Sequence, residues 1–61
     1  MDREDFAREL MLDEINREKG RFVTLRIIDR MVVRYGSLFD RRMLTAVADR
    51  INGEFAVGRT I

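Results

Sequence analysis

The side chains of this chain best able to do chemistry are carboxylates and guanidinium groups, and each kind recurs at a spacing of four. Asp5, Glu9 and Asp13 make one series; Arg26, Arg30 and Arg34 make the other, with Arg41 and Arg42 following. On a helix, residues four apart stack along one side. Stacked carboxylates can exchange protons or hold a hard cation, and stacked guanidinium groups can grip phosphates. Beyond these series the catalytic inventory is thin. There is no His and no Cys, and Ser37 and Lys19 are the single residues of their types. Nucleophilic and acid–base catalysis draw mostly on His, Cys, or an activated Ser or Lys. Ser37 stands where a helix N-cap belongs and Lys19 where a cation favours a helix C-terminus, so both have structural duties. The four glycines, at 20, 36, 53 and 58, are too scattered to cradle a phosphate. Carboxylates on a helix surface are far more often solvated or salt-bridged than catalytic. The sequence therefore calls for no enzyme, no cofactor and no metal, and the chain is expected to work by binding.

The arginine stripe has two readings. In the first, a helix bearing Arg26, Arg30 and Arg34, a turn at Gly36 and a following helix form a helix-turn-helix unit. Arg41, Arg42 and Thr45 then sit, with Asp49, on the outer face of the recognition helix, and the other three arginines hold phosphates. This unit would make the chain a small DNA-binding transcriptional regulator. Two features weigh against it: Ser37 occupies the position after the turn glycine where an apolar residue is expected, and the net charge is only +1. In the second reading the acidic series neutralises the basic one. If the first two helices fold back through a turn near residues 20–23, Asp13 falls beside Arg30 and Glu9 beside Arg34. Exposed pairs contribute about 0.2–1 kcal/mol each, so such a ladder sets register more than it holds the fold together. The ladder is the favoured reading for Arg26, Arg30 and Arg34, which leaves Arg41 and Arg42 as the better candidates for an external polyanion.

The elements that position these side chains are legible from caps and periodicity. Residues 3–19 predict a helix, with Asp2 and Asp5 at its positive end and Gly20 as its C-terminal cap. Phe6, Ala7, Leu10, Met11 and Ile15 share a broad apolar face; Glu14 falls inside that arc and Leu12 outside it. Leu25, Ile28, Met31, Val32 and Tyr35 repeat at helical spacing, with Thr24 as N-cap and Gly36 as stop. The β-branched stretch from residue 21 to 27 also suits a strand, and an α+β arrangement pairing 21–27 with 55–61 is the alternative. Between Ile27 and Met31, however, no Gly, Asn or Pro supplies a tight turn. Ser37 and Asp40 open a third helix, which Asn52-Gly53 would end, with Phe39, Met43, Leu44, Val47, Ala48 and Ile51 facing inward. Residues 54–61 then read as a short strand or an irregular tail.

Size points to self-association. Sixty-one residues form one domain at most, near the limit at which a single core outweighs lost conformational entropy. Without disulfides or a structural metal, a second copy is the remaining staple. An apolar content of 46% leaves side chains that the core does not need: Leu12, Val33, Leu38, Phe55 and Ile61 are the expected partner interface. Eleven of the twelve basic residues are Arg. The first nineteen residues carry seven acids against four bases, and the remainder eight bases against four acids. No run approaches a membrane span, and the first five residues are acidic rather than basic as in a signal peptide, so no membrane partner and a cytoplasmic location are expected. The expectation is thus an all-α single domain over 1–61: three helices, a short-strand or irregular tail, and a homodimer. Its expected function is that of a non-enzymatic helical interaction module that binds itself and another protein, with nucleic acid as the alternative partner.

Overall fold

A computed structural model describes the backbone of residues 2–60 and the side chains of residues 2–56. Three helices follow in order: α1 Arg3–Glu18, α2 Leu25–Tyr35 and α3 Arg41–Thr60. Among the described residues there is no strand. The all-α architecture is as the periodicity predicts, and the alternative pairing of 21–27 with 55–61 is not formed among the described residues: 21–24 are an irregular connection, α2 begins at Leu25, and α3 runs to Thr60.

α1 starts where Asp2, in extended conformation, accepts a hydrogen bond from the Glu4 amide at 2.8 Å. Its end differs from expectation by one residue. Lys19, not Gly20, takes the left-handed conformation (φ 55°); its amide bonds the Asn16 carbonyl, and the Gly20 amide bonds the Ile15 carbonyl. These two bonds form a Schellman closure with a β-carbon in the position that usually favours glycine. α2 is capped by the Thr24 hydroxyl, which accepts from the Ile27 amide at 3.4 Å. Gly36 follows α2 directly, in right-handed conformation. Close approach explains it: a β-carbon there would lie 2.5 Å from the Val32 carbonyl oxygen.

α3 departs most from the sequence reading. Asp40 itself is the N-cap, accepting from the Met43 amide at 2.8 Å, while Ser37 lies exposed in the preceding turn. The helix also runs through Asn52 and Gly53 to Thr60. One interior glycine costs a helix only about 1 kcal/mol, and two compensations are visible. The Asn52 amide group is engaged with Val23, accepting from its amide at 2.8 Å and donating to its carbonyl at 3.1 Å. An asparagine so occupied does not compete for its own helix backbone. One turn later Phe55 packs against the core and meets Phe22 at a ring separation of 6.5 Å. The expected short strand or irregular tail is therefore helical through Thr60.

The core is built from all three helices. Ala7, Met11 and Ile15 of α1 meet Ile27, Ile28 and Met31 of α2 and Leu44, Val47, Ala48 and Ile51 of α3, with Val23 and Phe39 closing it from the connections. Ion pairs fix the directions. Glu4 with Arg50 and Arg8 with Glu54 share an offset of 46 residues, so α1 and α3 run parallel. Glu14 with Arg34 and Glu18 with Arg30 approach in opposite order, so α2 runs antiparallel to α1. The result is an up-down-up bundle.

Candidate interaction surfaces

The arginine stripe of α2 meets carboxylates of α1, but not the predicted ones. Glu14, only 2% exposed, accepts from Arg34 at 2.9 Å and from Arg30 at 3.4 Å, and Arg17 lies 4.0 Å away on its own helix. Glu18 lies 2.9 Å from Arg30 and 3.8 Å from Arg26. Asp13, expected beside Arg30, is exposed and pairs with Arg17 at 3.4 Å. Glu9, expected beside Arg34, is exposed as well. The correction is one of both face and register: Arg30 takes Glu14 and Glu18 in place of Asp13, and Arg34 takes Glu14 in place of Glu9, more than a turn further along α1. The physical reason is that α1 packs against both other helices, which draws Glu14 and Glu18 inward and turns Asp5, Glu9 and Asp13 to solvent. Glu14, which interrupts the apolar arc in sequence, is the hub that the spacing argument overlooked. Its place within that arc was the signal.

Two further ion pairs join α1 to α3. Arg8 grips Glu54 with both guanidinium nitrogens, one at 3.2 Å. The hydrogen bonds to Arg8 hold the Glu54 carboxyl below its ordinary range and raise the Arg8 guanidinium above its own. Arg50 reaches Glu4 at 3.3 Å. The remaining arginines divide. Arg41 pairs with Asp29 of α2 at 2.6 Å, a partner the sequence reading did not foresee. Arg42 and Thr45 are exposed on α3, and among the described residues Arg42 forms no ion pair.

The expected apolar interface is dispersed. Leu12 and Phe55 are partly buried against the core rather than free: Leu12 because α1 is covered on two sides, Phe55 because α3 continues past Gly53. Ile61 lies outside the described residues. Val33 is 86% exposed and Leu38 51% exposed, as expected of them, and they are joined by Phe6 and Leu25, which the periodicity had placed on inward faces. Phe6 and Leu38 come together at one end of the bundle. With Arg3 and Phe39 they line an open groove of about 460 Å³. Phe39, 2% exposed, is its floor, and its ring meets Phe6 edge-on at 5.9 Å and Tyr35 at 6.4 Å. Such a groove can seat an apolar side chain, and Arg3 in its lining supplies a positive charge for an adjoining carboxylate.

Among the described residues no helix is long and apolar enough to cross a membrane. Comparison with known protein families, characterised sequences and solved structures finds no match to this chain.

Proposed function

We propose that this chain is a non-enzymatic interaction module that associates with itself and binds another protein through helix surfaces, in the cytoplasm. The observation that carries the reading is the groove between Phe6 and Leu38, an apolar feature on a bundle whose inter-helix ion pairs already engage Arg30, Arg34 and Arg41. Large apolar side chains left uncovered on so small a surface favour a partner. The lack of His and Cys supports a binding role over a catalytic one, and the lack of Cys suits a reducing compartment.

A second reading, a small DNA-binding regulator, draws on Arg42 and Thr45, exposed near the start of α3, and on Arg26, whose side chain is 77% exposed despite its contact with Glu18. Against it stand the engagement of Arg30 and Arg34 with Glu14 and of Arg41 with Asp29. Sedimentation over a range of protein concentrations, combined with titration of a DNA duplex at several salt concentrations, separates the two. The interaction module gives a mass that rises with concentration and no steeply salt-dependent DNA binding. A monomer at every concentration that binds DNA with an affinity falling steeply in salt would replace it with the regulator.

A further inference from the structure

The charges of α3 carry one more step. Five charged side chains of this helix are described, and three are engaged within the chain: Arg41 with Asp29, Arg50 with Glu4 and Glu54 with Arg8. The other two, Arg42 and Asp49, form no ion pair among the described residues and are exposed. They are opposite in sign and seven residues apart, close to two helical turns, so they share the outward face. Between them on that face lie only Thr45 and Ala46, both exposed.

We propose that this face binds a second copy of the chain, with the two α3 helices antiparallel and crossing between Thr45 and Ala46. This rests on the self-association in the function proposed above and names its surface. A two-fold axis at that point sets Arg42 of each copy against Asp49 of the other, giving two identical ion pairs; a parallel arrangement opposes like charges. The face is thus complementary to itself, as a symmetric dimer requires. Thr45 and Ala46 leave the crossing free of bulk, so the axes can approach to the short end of the usual 8–10 Å. The paired stretch, residues 41–50, is about 15 Å long. That is small against the ~800 Å² per partner of a standard interface, so the dimer is weak and weakens further in salt.

The test is sedimentation equilibrium of the full chain up to about 1 mM, where a weak dimer is populated. Arg42→Glu and Asp49→Arg are each expected to weaken dimerisation roughly tenfold, since each sets like charges opposite one another twice. The double variant Arg42→Glu/Asp49→Arg restores the dimer. So does an equimolar mixture of the two single variants, in which all contacts across the axis are again of opposite sign. Unchanged thermal unfolding of the variants at low protein concentration verifies that the helix itself is intact. A dimer indifferent to every substitution would overturn the proposed face while leaving self-association standing. A chain monomeric at every concentration overturns both. A mixture that dimerises no better than its components also removes the pairing of Arg42 with Asp49.

Discussion

At the scale of single residues, Glu14 explains most about the polar chemistry of this molecule. It is a carboxylate 2% exposed to solvent, answered by two guanidinium groups that are themselves one-third to one-half exposed. A buried acid is tolerable when it is paired and hydrogen-bonded, and its partners here keep contact with water, which limits the desolvation they suffer. Glu14→Gln is expected to lower stability by about 1 kcal/mol in chemical denaturation, because the amide keeps one hydrogen bond and loses the charge assistance. Asp13→Asn is expected to change stability by less than about 0.5 kcal/mol, the usual range for an exposed i,i+4 pair. The opposite order would restore the ladder built on Asp13. Lys19 offers a second test. Its left-handed backbone carries a β-carbon penalty that glycine lacks, so Lys19→Gly should raise stability by about 0.5–1 kcal/mol, net of a small lost dipole interaction. A fall in the thermal midpoint would mean that α1 ends elsewhere.

At the scale of elements, caps and apolar spacing made α1 and α2 legible to within a residue, and they identified the inward face of α3. Asp2 and Thr24 cap the first two helices, Asp40 rather than Ser37 caps the third, and Leu44, Val47 and Ile51 are all buried. Two things were hidden for physical reasons. The end of α3 was misplaced because Asn-Gly is a local stop signal, whereas the interactions that override it, Asn52 with Val23 and Phe55 with Phe22, are tertiary and span about thirty residues of chain. The ion-pair ladder has the direction that the spacing predicts, but its carboxylates are Glu14 and Glu18 rather than Glu9 and Asp13: spacing alone fixes neither the face of α1 nor its register, and packing on two sides sets both. The groove escaped notice because Phe6 and Leu38 belong to different elements. Continuation of α3 has a direct test. A β-carbon at Gly53 would meet nothing within 4 Å beyond its own stretch of helix, so Gly53→Ala should stabilise the chain by about 0.5–1 kcal/mol. Asn52→Ala should destabilise it by about 1–2 kcal/mol through loss of both bonds to Val23. Destabilisation by Gly53→Ala would return the helix end to Asn52.

At the scale of the whole molecule, the acidic first helix serves the two basic ones. α1 presents Glu14 and Glu18 to α2 and Glu4 and Arg8 to α3, so part of the charge asymmetry seen in sequence assembles the bundle, while Asp5, Glu9 and Asp13 face solvent. The Phe6–Leu38 groove at one end, the outward face of α3 and the exposed Leu25 and Val33 of α2 remain for partners, and so an interaction module fits this architecture better than a phosphate-binding surface on α2. The central claim is that the α2 arginines belong to the fold. Its most direct test is the double variant Arg30→Gln/Arg34→Gln, measured by urea unfolding alongside titration of a DNA duplex at low salt. The expected result is a loss of about 1–3 kcal/mol of stability, because Glu14 is left buried with only Arg17, 4.0 Å away, as counter-charge, with any DNA association unchanged. Stability unchanged to within about 0.5 kcal/mol, together with loss of a salt-dependent DNA affinity present in the parent chain, would contradict it.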